Sequence, residues 1–301
     1  FIMKKILAML LALVMVLSLA ACASTQPAAE PAASSDAPAE SGKTYTVGVC
    51  QLVQHEALDA ATQGFVDALK EALGDAVTID VQNASGDSVN CGTIVNGFVA
   101  KGVDLIMANA TPALTAAVSA TADIPILGTS ITAYGVALDI DDFSGTVGGN
   151  VSGTSDLADL QKQAQMILDW FPETKTVGLL FCSAEPNSRY QIDEVRKALE
   201  AQGVTCEEFA FTDSNDVSSV AQKAADFSDV VYIPTDNTAA SNTEAIANVL
   251  IPAGVPAICG EEGLCRGCGV ATLSISYYDL GVTTGKMAAK ILKGEANISE
   301  M

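Results

Sequence analysis

From Tyr45 onward, short runs of apolar, largely β-branched residues alternate with longer segments whose apolar positions recur every three or four residues. Residues 45–52 (YTVGVCQL) read as a buried strand, and residues 57–73 place Leu58, Phe65, Ala68, Leu69 and Leu73 at helical spacing. Residues 77–84, 104–110 and 124–130 predict further strands, with helices through 94–99 and from Pro112 between them. Residues 131–153 are Gly-rich and acidic, break the rhythm, and read as a hairpin or a crossing segment. The alternation then restarts. A helix over 156–170, a strand over 176–182 and a helix stopped by Gly203 are followed by strands beginning at Val204 and Asp229. Helices near 217–225 and 238–249, the strand VPAICG, a strand over 269–277 and a C-terminal amphipathic helix ending in Lys290, Lys293 and Gly294 complete the chain.

Repeated strand–helix order requires parallel strands with helical crossovers. The expected fold class is therefore α/β: two doubly wound parallel-sheet lobes joined by hinge crossings. Residues 44–153 form the first lobe and 154–276 the second, with 277–301 returning to complete the first. Open parallel sheets bind ligands beyond the carboxyl ends of their strands, and two facing lobes pool those ends into one cleft.

The N-terminus changes the picture. Lys4 and Lys5 precede a 15-residue segment, 6–20, that is apolar except for Ser18 and too short for a bilayer span of about 20. A basic start, a short apolar segment and small residues predict a signal peptide over 1–21. LAAC, ending at Cys22, resembles the bacterial lipobox, in which cleavage precedes a cysteine that becomes lipid-modified. Residues 23–43, rich in Ala, Pro, Ser and Glu, offer little to bury and predict a disordered tether. An extracytoplasmic protein anchored to the bacterial membrane by lipid is expected. The 15 basic residues against 36 acidic ones argue against nucleic acid as a partner, because phosphate backbones are bound by Lys/Arg surfaces.

The strand ends carry the candidate chemistry. CQLVQH, NASGDS, NATPA and TSIT leave the first lobe, and CSAEPNS, FTDSND, PTDN and CGEEG the second. Hydroxyls, amides and helix N-termini suit a carboxylate, whereas Asp236 or Glu185 suits an ammonium group. Together they describe a zwitterion such as an α-amino acid. The competing reading of each segment is helix capping, the usual work of Thr, Asn, Asp and Ser there. An enzyme is disfavoured: His55 is the single histidine, and no GxSxG elbow or Walker loop occurs. Cys259, Cys265 and Cys268 form C-x5-C-x2-C, which supplies soft metal ligands but no evident fourth; a local disulfide or free thiols are the other readings. A sugar or nucleoside receptor of the same fold is the alternative function. Against it, aromatic residues are 5% of the chain, with Tyr134, Tyr190 and Tyr277 as the possible cleft aromatics.

HEALDAATQGF, NATPAL, ILGTSIT, SAEPNS, IPTDN and ATLSISYYDLG occur in the order seen in the ABC-transporter substrate-binding lipoproteins of the type I periplasmic-binding fold, and the chain resembles the group that includes tryptophan- and tyrosine-binding proteins. Ile131–Tyr134 stands where that group usually has a VTDP-like segment. The resemblance implies a non-enzymatic, cofactor-free receptor that hands an aromatic or other apolar amino acid to a permease with a separate ATPase subunit. It places Gln51, His55, Asn109, Thr111, Thr129 and Ser130 on the first lobe's wall and Ser152, Gly153 and Thr154 at the crossing. Glu185, Asn187, Ser188, Asp236, Asn237 and Glu261 come from the second lobe. On this reading Thr111, Ser130 and nearby backbone N–H groups hold the ligand carboxylate, and Asp236 holds its ammonium group.

Overall fold

A computed structural model of the chain describes residues 43–301. The expected signal segment, Cys22 and the tether as far as residue 42 lie outside the described residues. No helix among the described residues is long and apolar enough to cross a membrane.

Two five-stranded parallel sheets organise the chain. In the first, β1 (Tyr45–Gln51), β2 (Val77–Asn83), β3 (Leu105–Asn109), β4 (Ile126–Ile131) and β5 (Val151–Ser155) lie in the order β2-β1-β3-β4-β5. The second contains β6 (Thr176–Cys182), β7 (Thr205–Phe211), β8 (Val230–Ile233), β9 (Ala257–Cys259) and β10 (Ala271–Thr272), in the order β7-β6-β8-β9-β10. The two lobes thus repeat one topology, with switch points between β1 and β3 and between β6 and β8, where a doubly wound sheet opens a crevice at its carboxyl edge.

Burial follows from this layering. Central strands covered on both faces are continuously apolar and buried, as β3, β4 and β8 are, while the edge strand β2 alternates. On one face of the first sheet, Val95, Phe98 and Leu114 come from the helices Ser88–Lys101 and Thr111–Ala120. On the other, Phe65 and Leu69 of the helix Glu56–Leu73 meet Ala288, Ala289 and Leu292 of the C-terminal helix Tyr277–Lys293. The second sheet is sandwiched in the same way by Pro186–Glu200 and Leu160–Trp170 on one face and by Val217–Phe227 and Thr243–Ala253 on the other.

Three local expectations are corrected. Residues 131–153 are not a hairpin or a simple crossing: they hold the four-residue helix Tyr134–Ala137 and lead into β5, a fifth parallel strand. The helix is too short to show periodicity, and a Ser/Gly/Thr edge strand has no apolar run. The helix expected from 156 begins at Leu160, capped by Asp159, whose side chain accepts from Lys162 N; residues 156–159 are the extended crossing. Of the strand expected over 269–277, only Ala271–Thr272 joins the ladder, and the following residues form the return crossing.

The carboxyl edge of the first sheet is strained. Ala110, after β3, has φ 87° and ψ 158°, and Ser130 in β4 has φ 55°, backbone regions that cost a residue with a Cβ about 1–3 kcal/mol. Ala110→Gly is expected to stabilise the protein by about 1 kcal/mol, read as a higher urea midpoint with an unchanged denaturant slope.

Candidate functional site

Residues that leave the strand ends of both lobes close on a narrow cavity of about 10 Å³, room for about one water molecule. His55 and Leu58 come from the start of the helix after β1, and Ser130 and Thr132 from the end of β4. Asp156 belongs to the first crossing, and Tyr277 opens the C-terminal helix where the return crossing ends. Asn187, Thr235, Asp236, Asn237, Ala240 and Glu261 form the second lobe's wall.

Ser130 owes its direction to a bulge. The pairing of β4 with β5 slips between Gly128 and Ile131, and the positive φ at Ser130 sits inside the slip, as bulges beside sites commonly re-aim one side chain. Tyr134 wedges the two strands there, its hydroxyl placed to donate to Gly128 O at 3.1 Å and Thr154 O at 3.2 Å. A Cβ on Gly153 would stand 2.2 Å from that hydroxyl.

Asp156 is held at the point where the chain leaves the first sheet. Its backbone N–H donates to Ile131 O at 3.2 Å, and Tyr277 Oη donates to its Oδ2 at 2.8 Å, so the two crossings meet at the cavity. It is 4% exposed, and Oδ1 has no partner. Burial raises its carboxyl above the ordinary range, against the opposing hydrogen bond from Tyr277.

The second lobe's acids are engaged differently. Asp236 Oδ1 accepts from Ala239 N at 2.8 Å and Oδ2 from Cys182 N at 2.6 Å; it caps the helix Asn237–Ala240 and ties β8 to β6. Both oxygens are taken, so the ammonium role expected of Asp236 conflicts with its hydrogen bonding. Glu185 accepts from Asn237 N and Nδ2 and from Thr238 N and Oγ1, all within 3.0 Å. Glu261 caps the helix Glu262–Cys268 through Gly263 N and Leu264 N. Asn187 Nδ2 donates to Glu185 Oε2 and Thr235 O, which leaves its Oδ1 unpaired.

Of the residues expected at the site, His55, Ser130, Asn187, Asp236, Asn237 and Glu261 line this cavity, and the others do not. Gln51 is used internally by Val53 O, Asp59 and Thr62. Asn109 donates to Leu58 O and Thr62 Oγ1, which positions the helix that carries His55 and Leu58. Thr129 and Thr154 share a buried hydroxyl cluster with Thr284, and Ser152 Oγ donates to Met301 O. Ser152, Gly153 and Thr154 lie within β5 rather than at the crossing, which begins at Asp156. Thr111 faces a separate groove with Ser88, Gly92, Asn96 and Pro112. Glu185 lines a separate groove with Leu52, Ser85, Thr212 and Thr238, and Ser188 Oγ accepts from Asn187 Nδ2. Asp156 and Thr132 are not among the expected ligand residues, and Tyr277, expected as a possible cleft aromatic, does line the cavity.

Four of the buried polar atoms without a partner belong to this wall: His55 Nδ1, Ser130 Oγ, Asp156 Oδ1 and Asn187 Oδ1. Each unpaired buried group costs about 1–3 kcal/mol, and their convergence makes this cavity the candidate site.

Lobe-to-lobe contacts rim the cavity. His55 Nε2 and Asn237 Oδ1 are 3.3 Å apart. Arg266, on the second lobe, pairs with Glu56 at the start of the first lobe's opening helix and with Glu262 on its own helix. These side chains are half exposed or more, which limits such a pair to about 1 kcal/mol. Arg266→Ala is expected to weaken ligand binding up to about fivefold by loosening the closed arrangement, and titration in 1 M salt should erase the difference.

The acids also set the response to pH. Burial, and then the charge of Glu185, push Asp236 up to about 8, and burial raises Asp156 and Glu261. A carboxyl raised on folding keeps its proton in the native state after the unfolded chain has lost it, so its contribution falls as pH rises toward the folded value. His55 is shifted down by burial and acts the other way, below its ordinary range near 6.5. Between pH 6.5 and 8.5 the acids dominate. The melting temperature of the ligand-free protein should drop by several degrees across that window, and Asp236→Asn should flatten the slope.

The model for the family described as ABC transporter substrate binding protein matches residues 46–299. The tyrosine-binding protein of Clostridioides difficile (strain R20291) is 32% identical over 299 residues, 97% of this chain and 85% of that protein. A Streptococcus pneumoniae ABC domain solved in complex with L-Trp is 34% identical with a TM-score of 0.82, covering 86% of this chain and 88% of that one. The ligand-free, open structure of a Clostridium difficile substrate binding protein with adhesive properties is 35% identical over the same shares, yet its TM-score is 0.63. At nearly equal identity, the lobes of this chain match the arrangement of the complex better than the open one. The chain belongs to the ABC transporter substrate binding protein family.

Proposed function

We propose that this chain captures an aromatic α-amino acid, tyrosine or tryptophan, between its lobes and presents it to a membrane permease powered by a separate ATPase subunit. The observation that carries the reading is the convergence of four unpaired polar atoms, one on a carboxylate, on a cavity with no Lys or Arg among its lining residues. Asp156 Oδ1, desolvated and free, is the partner for the ligand ammonium. Ser130 Oγ donates to the ligand carboxylate, while Leu58, Ala240 and Tyr277 supply apolar surface for the side chain. The tyrosine-binding and tryptophan-bound relatives support the ligand class.

A ligand that touches both walls favours the closed arrangement by its differential affinity for it over the open one. The permease reads that arrangement, and no bond of the ligand is made or broken. The signal-like residues 1–21 and Cys22 in LAAC support export and a lipid anchor, which keeps the receptor near the permease.

A thermal-shift screen of residues 43–301 against amino acids, sugars and nucleosides tests the proposal. A ligand present at 100 times its dissociation constant adds about 2.7 kcal/mol. Tyrosine or tryptophan should give the largest shift, and stabilisation by sugars alone would overturn the reading.

A further inference from the structure

Glu185 is buried and stands in the capping position of the helix Pro186–Glu200, yet its side chain caps nothing there. Its carboxylate accepts instead from residues of the second lobe's wall: Oε1 from Thr238 N and Oγ1, each at 2.8 Å, and Oε2 from Asn237 N at 3.0 Å, Asn237 Nδ2 at 2.7 Å and Asn187 Nδ2 at 3.1 Å. A carboxylate met by two backbone N–H groups only accepts, so it fixes which end of each amide faces it. Thr235 O holds Asn187 Nδ2 a second time, at 3.2 Å. Both amides therefore turn their nitrogens to Glu185 and their oxygens away. Asn187 Oδ1 is left in the cavity wall without a partner, and Asn237 Oδ1 meets His55 Nε2 at 3.3 Å. An amide oxygen cannot donate, so His55 carries its proton on Nε2, and in the neutral ring Nδ1 is a bare acceptor. The ring is neutral near neutral pH, because burial lowers its pKa by more than the Asn237 hydrogen bond and the charges of Glu185 and Asp59 raise it. Nδ1 too is buried and unpaired.

We propose that Glu185 is a positioning residue that sets the hydrogen-bonding polarity of the cavity: it presents Asn187 Oδ1 and, through Asn237, His55 Nδ1 as acceptors, and so selects amino acids whose side chain carries an O–H or N–H donor, a phenol or an indole, over phenylalanine. This selection rests on the aromatic amino-acid reading, in which Asp156 at the crossing takes the ammonium group. His55 and Asn237 meet where the facing lobes touch, which assigns the two neutral acceptors to the other end of the ligand. A side chain of similar shape without a donor would bury both acceptors unpaired. Sites built to bond a hydroxyl reject the analogue that lacks it far more strongly than an apolar pocket rejects a change of size.

Isothermal titration of the protein with tyrosine, tryptophan and phenylalanine tests the selection. The better of tyrosine and tryptophan should bind about 30-fold or more tighter than phenylalanine. Glu185→Gln sets an amide where the carboxylate now holds both nitrogens, so that ratio should fall to within about threefold. A merely structural role would weaken all three ligands together and leave the ratio unchanged. Because His55 is the single histidine of the chain, nitrogen NMR of the untagged protein reads its tautomer directly. The unsubstituted protein should show the proton on Nε2 and a bare Nδ1 whose signal moves when the preferred ligand binds, and Glu185→Gln should populate the other tautomer. The measurements on the unsubstituted chain keep the proposal falsifiable if the variant does not fold. A proton on Nδ1, phenylalanine bound within about threefold of the other two, or an unchanged ratio in Glu185→Gln would overturn the proposal and leave the aromatic amino-acid reading standing. Binding of none of the three would overturn both.

Discussion

Asp156→Asn is expected to weaken amino-acid binding about 100-fold or more, roughly 3 kcal/mol, in an isothermal titration with the ligand identified by screening. The substitution preserves shape and an acceptor for the Tyr277 hydroxyl, which now donates to Oδ2 at 2.8 Å. It removes the one cavity carboxylate with an oxygen free of protein partners. The fold should survive, because the side chain that replaces a buried carboxyl of raised pKa is neutral. Asp236→Asn is the informative contrast. Its carboxylate is occupied by Cys182 N and Ala239 N, so this change should cost stability and leave affinity within a few fold. An Asp156→Asn protein that binds within threefold of the parent would move the ammonium site elsewhere on the wall.

Gly281→Val should destabilise the protein by about 3 kcal/mol or more, with failure to fold as the extreme of the same effect. Gly281 lies where the helix Tyr277–Lys293 crosses the helix Glu56–Leu73, and a Cβ there would stand 2.0 Å from Ala61 O. The contact is reciprocal: a Cβ on Gly64 would stand 2.1 Å from Tyr278 O. Here backbone lies on backbone, and no rotamer change can relieve a clash with a carbonyl. The crossing is also what attaches the end of the chain to the first lobe, so its loss exposes Phe65, Leu69, Ala288 and Leu292 together. Urea unfolding provides the measurement; a loss under 1 kcal/mol would mean that the helices can part without penalty.

Much of the architecture is legible along the chain because its central strands are buried on both faces. Runs such as LIMAN and TVGLLFC must be apolar throughout, and helical segments with clear spacing separate them. β5 and β10 escape the same reading. One is a Ser/Gly-rich edge and the other two residues long, and their pairing depends on neighbours distant in sequence. The site divides along a similar line. Strand-end logic finds the neighbourhood of Ser130, Asn187 and Asp236, but whether a polar side chain faces the cavity or the protein interior is decided by partners. Gln51 and Thr129 turn to interior hydroxyls, and Thr111 opens onto another groove. Asp156 escapes the sequence reading because the helical pattern over 156–170 absorbs it; a lone acid directly after the strand-like VSGTS, at a crossing, is the signal that points to it.

The junction of Tyr277 with Asp156 has a kinetic consequence. Among the described residues, both connections between the lobes pass the ligand's proposed anchor, so the bond that holds the ammonium group is made at the pivot rather than at the moving rim. Parting of the lobes can break the contacts of Asn187 and Asn237 with a ligand while Asp156 still grips it. Release then takes two steps in a fixed order, opening first and detachment from the pivot second. Residence time is divided between a rate set at the rim by Arg266 and Glu56 and a rate set at the hinge by a single carboxylate.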